Sequence, residues 1–501
     1  MSNCIILSGG TWSPKEWAKI KRSLGPYRIA TALKEVGYTT SILEYVEELT
    51  TEEVIHFISL HLNDETLWVG FSSTFFWPRI TNSEMKSDSN SLDRMYYTDY
   101  SEIQRIFDYV RQNSKAKFIF GGSKVPYFIV DDNIDYYVTG NADNSIINLT
   151  NHIAGKEELL HYEKYNNHTI VDSLKYPEPD VKNIPTDWSE QPVLKQEGLP
   201  IELARGCIFK CKFCNYPLLG KKKGTYLKDY QQVKDEMIKT WELHGTESYY
   251  LTDDTFNDDN DKLEDLHKIF TSLPFKPKFS CYLRLDLLNK YTHQADLLAE
   301  MGLIGTYFGI ETLQWDSAKV IGKGLHPNKV KDRLYWLANK WKNKVNIEAG
   351  FILGLPYDTI GYFNELIDWC LEESNPIQSI HFYPLMLFHY KEKELEPYSS
   401  EFSLKPEIYG YEFNHGSSSY WSLPSQKLTY TKCLDMANKF ADLRNPMNKV
   451  AGFHMITSLN TGIELNDLYQ YTQEEIEQRY DIPTMNMNKI NEYKRLLGLY
   501  K

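Results

Sequence analysis

Between residues 199 and 388 short apolar runs return about six times, near 201–204, 248–252, 278–282, 306–310, 346–352 and 379–383. Amphipathic patterns at 230–243, 263–273 and 329–341 read as helices between them. Strands joined through a helix run parallel, because only a crossover of a dozen or more residues brings the chain back in the same direction. About six such units make an incomplete parallel barrel, which places function at the carboxyl ends of its strands. Each of those ends is marked. The first runs into a cysteine-bearing loop, the second into Asp253, Asp254, Thr255 and Phe256, and the third into Arg284 and Asp286. Glu311 and Thr312 follow the fourth, and Gly354, Leu355 and Pro356 the fifth.

The loop after the first strand holds Cys207, Cys211 and Cys214 in a CxxxCxxC spacing. A structural zinc site wants four ligands, usually as two close pairs, and no second CxxC or CxxH pair follows. Three thiolates from one loop suit an iron-sulfur cluster with one iron left open to a further ligand.

This spacing resembles that of the radical S-adenosylmethionine enzymes, with an apolar strand before it and Phe213 just before its last cysteine. The stretches 251–256, 282–288, 301–312, 322–324 and 350–359 are similar, in order, to the cobalamin-type branch of that family, so the resemblance covers about 200–359. It implies a 4Fe-4S cluster held by Cys207, Cys211 and Cys214, with S-adenosylmethionine chelated on the open iron. Asp253 or Asp254 would take its ammonium and Arg284 its carboxylate. Glu311 would accept from the ribose hydroxyls, the turn from Phe351 through Gly354 to Leu355 would cover the adenine, and Phe213 would contribute through its backbone. Where relatives often carry Gly-Glu-Thr after Leu-Pro, this chain has Tyr357, Asp358 and Thr359, which leaves the tightness of that turn open.

Residues 1–154 alternate strands at 4–7, 40–44, 67–72 and 117–120 with helices, the pattern of a doubly wound, Rossmann-like parallel sheet. Its strand ends carry Gly9 and Gly10, Ser72, Ser73 and Thr74, Gly121 and Gly122, and later Gly140. Glycines there admit a large flat ligand and hydroxyls supply short polar contacts. The layout resembles the cobalamin-binding domain of the same branch, which makes Ser72, Ser73, Gly121 and Gly122 candidates for the nucleotide tail. One departure stands out: the loop 8–25 contains no histidine, so the resemblance does not extend to a histidine-ligated cobalt. Trp12 and Trp17 are candidates to cover the lower corrin face, or are packing residues. His56 and His61 fall in a helical pattern and read as surface or core residues.

Fading periodicity and Pro177, Pro179, Pro185 and Pro192 mark 155–198 as a linker. The barrel occupies 199–388. Residues 389–501, rich at first in Tyr, His, Asn and Ser, read as a mainly helical cap that shields a radical from water. His389, His415 and His454 belong to it as ordinary histidines.

A net charge of -13 with no clustered Lys and Arg, beyond the solvated Lys221, Lys222 and Lys223, argues against a broad nucleic-acid footprint. Seven cysteines in 501 residues make no disulfide framework, and an oxygen-labile cluster needs a reducing compartment, so the cytoplasm is expected. No basic export leader and no run of about 20 apolar residues is seen, so no membrane segment is expected. The resemblance implies reductive cleavage of S-adenosylmethionine, hydrogen abstraction from an unactivated carbon, and methyl delivery from methylcobalamin. It further implies a reductant such as flavodoxin or ferredoxin and a small-molecule or peptide substrate. The alternatives are a radical cyclase or rearrangement enzyme of the same branch, a tRNA methylthiotransferase, and a non-catalytic corrinoid or iron-sulfur binding protein. A methylthiotransferase carries an extra cysteine triad in its first domain and a basic tail. Here the first domain has only Cys4.

Overall fold

The computed structural model describes residues 3–9, 22–72, 100–122, 132–165, 167–216, 219–387, 400–413, 421–444 and 451–499. The chain divides into two compact units. One comprises Met1–Ile201, Asp235–Thr246 and Glu477–Lys501, and the other Glu202–Lys234 and Glu247–Ile476.

The first unit is built on a seven-stranded sheet. Its strands are β1 (Cys4–Leu7), β2 (Thr40–Leu43), β3 (Trp68–Ser72), β4 (Lys117–Gly122), β5 (Tyr136–Thr139), β6 (Tyr162–Tyr165) and β7 (His168–Asp172). They lie in the order β2-β1-β3-β4-β5-β7-β6. All pairings are parallel except β6 with β7. Every residue of β1 is buried, as a strand covered by helices on both faces must be, and this is why the sequence shows a continuous apolar run there. Helix Thr51–His61 starts on a capping box in which Thr50 and Glu53 satisfy each other's backbone amides. The chain reverses its direction of travel across the sheet between β1 and β3, the switch point at which doubly wound sheets bind ligands.

Two sequence boundaries shift. The stretch 155–198 is not wholly a linker, because β6 and β7 extend the sheet at its edge. Each is only four or five residues long, too short to show a period among its polar neighbours. Beyond Asp172 the proline-marked stretch holds only short 3-10 turns, at Ser173–Lys175 and Val181–Asn183. The carboxyl-terminal stretch 389–501 is also divided, because helix Ile482–Leu496 belongs to the first unit. There Tyr493 packs edge-on against Tyr45, and the buried Arg22 guanidinium lies 5.8, 5.7 and 5.3 Å from the Tyr27, Tyr45 and Tyr493 rings. Arg22 also donates to both carboxylate oxygens of Glu197, so a fully buried cation is paired and enclosed by aromatic faces.

The second sheet has six strands in the order β13-β12-β11-β10-β9-β8. These are β8 (Leu199–Ile201), β9 (Ser248–Leu251), β10 (Lys278–Leu283), β11 (Leu303–Glu311), β12 (Asn346–Leu353) and β13 (Ser379–Pro384). The pairings from β9 through β13 are parallel. Alternation sorts the side chains by face. Phe279, Phe351 and Phe382 pack on the outer helices, meeting Phe270, Trp369 and Phe440 at 5.4, 6.4 and 5.4 Å. The other face carries Tyr282, Tyr307, Glu348 and His381, and its amino-terminal end is closed by helix Ala451–Thr461. Met455 there fills the space a side chain at Gly305 would need, and Tyr250, Leu459 and Leu465 form a buried cluster.

The remaining segment is less helical than expected. A small antiparallel sheet of β14 (Glu412–Phe413), β15 (Trp421–Leu423) and β16 (Leu428–Thr429) precedes helix Tyr430–Arg444. No described helix is long and apolar enough to cross a membrane.

Candidate active site

The cysteine loop leaves the end of β8 and is fixed by backbone bonds. Arg205 N–H donates to Tyr226 O at 2.8 Å, Lys221 N–H to Cys207 O at 3.1 Å, and Cys214 N–H to Cys211 O at 3.0 Å. Gly206 has φ +113°, a conformation other residues rarely adopt, and so turns the chain into the loop. Cys207 is buried and lies 3.6 Å from Thr255 Oγ1. Cys211 and Cys214 are half-buried, and Arg284 Nη1 donates to Cys211 Sγ at 3.5 Å. Burial pushes the Cys214 thiol up to about 12, with the other two cysteines and Asp254 adding to the rise. Among the described residues no three His, Cys, Asp or Glu side chains converge as they would on a single metal ion. Thiolates that each bind a separate iron of one cluster need not converge so closely, and a bound cation reverses the local cost of ionising a thiol. The donor set therefore fits a polynuclear iron-sulfur cluster.

The two adjacent carboxylates after β9 have different roles, since alternation turns them to opposite faces. Asp253 is fully buried, accepts from the amides of Leu203 and Ala204 at 2.9 and 3.0 Å, and pairs with Lys262 at 3.0 Å. It braces the entry to the cysteine loop and has no oxygen to spare for an ammonium. Burial beside Asp253 raises the Asp254 carboxyl to about 7, while a hydrogen bond from Tyr216 opposes the rise. Asp254 remains as the ammonium candidate.

Arg284 is engaged differently from the sequence expectation. Its Nε and Nη2 donate to Asp286 at 3.0 and 2.7 Å, its guanidinium stacks 3.8 Å over Phe209, and the remaining nitrogen meets Cys211. A fork so occupied positions the cysteine loop instead of pairing with an incoming carboxylate. Asn257 exchanges two hydrogen bonds with the Arg284 backbone and fixes that strand end.

Glu311 closes β11 at φ +68°, a conformation that costs a non-glycine residue roughly 1–3 kcal/mol and recurs where a side chain is held for function. Lys323 from the Gly322-Lys323-Gly324 run lies 3.5 Å from its carboxylate and donates to Gly309 O at 2.7 Å. Burial raises the Glu311 carboxyl and Lys323 opposes the rise. Phe213 is half-buried within the loop. Phe351 packs toward the outer helices against Trp369 and Phe382, and Ile352, the next residue along the strand, is turned to the other face.

The turn after β12 is tight despite its unusual sequence. Asp358 accepts from the amides of Gly354 and Leu355 at 3.0 and 2.9 Å and from Ser317 at 3.1 Å. Gly354 has φ +102° and leaves no room for a side chain against Trp421. Thr359 caps the next helix by accepting from Tyr362 N–H. Asp358→Ala should lower unfolding stability by about 1–3 kcal/mol, since it strands buried donors. Burial raises the Asp358 carboxyl from its ordinary 3.8 to about 7. Its contribution to stability is therefore full below pH 3.8 and is lost as pH rises through about 7, so Asp358→Asn should flatten the stability profile over that window in urea titrations.

In the first unit, Ser72 and Gly121 are register partners at the ends of β3 and β4, and Gly122 is paired with Thr139. Gly122 has φ +130°, open only to glycine without strain. Ser73, Thr74, Gly10, Trp12, Trp17, His389, His415 and the His454 side chain lie outside the described residues. His61 is half-buried and hydrogen-bonds Ser41 at 2.9 Å.

Residues 201–370 match the family described as the radical SAM superfamily. No curated protein matches the chain. Among solved structures it is similar to the radical S-adenosylmethionine methyltransferase TsrM from Kitasatospora setae, with tryptophan substrate and a SAM analog bound. The identity is 17% and the TM-score 0.58, over 83% of this chain and 80% of that one. A second TsrM structure, with cobalamin and a [4Fe-4S] cluster bound, gives the same identity and TM-score over 87% and 85%. The cobalamin-dependent S-adenosylmethionine radical enzyme OxsB, with aqua-cobalamin and S-adenosylmethionine bound, matches at 14% identity and TM-score 0.53, over 81% and 56%. The fold is thus that of cobalamin-dependent radical SAM enzymes, and the family match lies where the cysteine loop and the strand-end carboxylates lie.

Proposed function

We propose that the chain is a cobalamin-dependent radical S-adenosylmethionine methyltransferase that acts on an unactivated carbon. The observation that carries this reading is the Cys207, Cys211 and Cys214 loop at the carboxyl end of a parallel sheet, stabilised by Arg284 and Thr255. The first unit contributes a doubly wound sheet with Ser72, Gly121 and Gly122 at the strand ends where such sheets bind ligands. When bound, the reduced 4Fe-4S cluster supplies an electron to the sulfonium of S-adenosylmethionine, and methylcobalamin supplies a methyl group.

The protein contributes position and dryness. Cys207, Cys211 and Cys214 hold the cluster, with Arg284 and Asp286 bracing the loop. Asp254 takes the ammonium of S-adenosylmethionine in its anionic form, and Glu311, held by Lys323, accepts from the ribose. The backbone at Phe213 and the turn at Gly354 border the adenine. Ser72, Ser73, Gly121 and Gly122 take the cobalamin tail. A low-potential electron carrier such as flavodoxin or ferredoxin is the expected partner, and the substrate is a small molecule or peptide.

Reduced, anaerobic incubation with methyl-deuterated S-adenosylmethionine and a cell extract tests this. A product carrying the intact labelled methyl group on carbon is expected. A rearranged or cyclised product without label would replace methyl transfer with the other radical chemistry of this fold.

A further inference from the structure

The inner face of the second sheet carries an aromatic and acidic enclosure one layer below the strand ends. In register across the sheet stand Tyr282, Tyr307 and Glu348, on adjacent strands. Tyr282 and Tyr307 meet at 5.5 Å and 65°, and His381 stands 6.0 Å from Tyr307 and nearly parallel to Tyr383 at 6.3 Å. The next level up places Gly309 beside Gly350 and Gly350 beside His381. A side chain at Gly350 would collide with the Tyr307 hydroxyl, so this glycine lets Tyr307 lie across the sheet.

Two properties make this more than inner packing. Tyr282 and Tyr383 keep 52% and 49% of their surface accessible, although both stand on the inner face of the sheet. Desolvation also raises their hydroxyls, so both rings stand among protein groups while part of their surface stays free to meet a ligand. The floor is closed, since Tyr469 donates to Asn346 Oδ1 at 2.5 Å, Asn460 to Tyr250 at 3.3 Å, and Met455 fills the space over Gly305. The open direction leads toward Glu311, four residues further along β11 or roughly 13 Å.

Charge selects what such a space holds. Along the same sheet Glu311 is matched by Lys323, Asp286 by Arg284, Glu202 by Arg205 and Asp253 by Lys262. Glu348 lies 3.5 Å from the His381 imidazole and accepts from the Asn346 amide at 3.3 Å, and no Lys or Arg of the described residues pairs with it. A carboxylate ringed by tyrosine faces favours a cation, which gains from the ion pair and from the ring quadrupoles together.

We propose that this enclosure is the substrate-recognition site and that its ligand carries a protonated amine, seated between Glu348 and the rings of Tyr282, Tyr307 and Tyr383. The inference rests on the proposed function for where the reacting carbon is presented, and on the enclosure alone for the class of ligand.

Phenethylammonium, 2-phenylethanol and 3-phenylpropionate share a ring and differ in charge. Their binding to the anaerobically reconstituted full-length enzyme, followed by saturation-transfer NMR, tests the proposal. Phenethylammonium should bind about tenfold more tightly than either of the others, and Glu348→Gln should remove that preference. Tyr282→Leu should weaken the amine while leaving 2-phenylethanol nearly unchanged, which separates a lost ring face from a lost fold. Equal binding of the three probes, or a preference that survives Glu348→Gln in a protein with unchanged circular dichroism, overturns the proposal. An amine preference in an enzyme that never cleaves S-adenosylmethionine would fail the proposed function and leave this site standing. Cleavage without the preference would do the reverse.

Discussion

Cys207→Ala, Cys211→Ala and Cys214→Ala should each reduce S-adenosylmethionine cleavage to below about one part in a thousand, because each removes a cluster ligand and with it the whole reaction step. Bound iron and sulfide should fall together in anaerobically reconstituted protein. Cys4, Cys281, Cys370 and Cys433 are buried and belong to other elements than the loop, and burial raises each of their thiols, so alanine at those positions should leave the cluster intact. The contrast is informative because all seven cysteines are unpaired among themselves and only position distinguishes them. Full cleavage by any of the three loop variants would remove the cluster assignment.

The second large effect is expected at Gly122. Its φ of +130° and its place beside Thr139 at the end of β4 leave backbone, with no side chain, where a cobalamin tail would pass. Gly122→Leu should lower corrinoid retained per chain by about tenfold or more, read by absorption after purification with added cobalamin. The substitution also strains the backbone by roughly 1–3 kcal/mol, so circular dichroism must accompany the reading. Ser72→Val, whose backbone conformation is unstrained, gives a second variant in which the fold is kept. Electron paramagnetic resonance should show no nitrogen splitting from a protein histidine, since residues 8–25 contain none. Retention of corrinoid by both folded variants would move the tail elsewhere, and no corrinoid in the parent would mean a cobalamin-free enzyme.

The sequence reveals parallel strands wherever a strand is buried on both faces or long enough to alternate, as in β1 and β12. It does not reveal β6 and β7, whose few residues carry no period of their own. It also cannot place helix Ile482–Leu496, because Tyr493 meets Glu44 across 449 positions and only the fold brings them together. At the site, the cysteine spacing is legible because all three cysteines come from one loop. Which of Asp253 and Asp254 is braced within the fold is not, since neighbouring residues on an extended chain face opposite ways and only the pairing with Lys262 reveals the choice. Arg284 is legible as a strand-end cation, and its counter-ion in the fold is Asp286, two residues on. Lys323 is not legible in the sequence as a partner of Glu311. Its Gly-Lys-Gly setting is visible, yet the reach to Glu311 depends on how β11 and the following helix fold back.

The most direct test of the account is the reductive cleavage of S-adenosylmethionine itself. Anaerobically reconstituted protein with one 4Fe-4S cluster and cobalamin is mixed with S-adenosylmethionine and a low-potential reductant, and 5′-deoxyadenosine is quantified by mass spectrometry. The account predicts deoxyadenosine that requires reductant and is absent from Cys211→Ala. Fully loaded protein that yields none under reduction, in the presence of an extract supplying substrate, would contradict it.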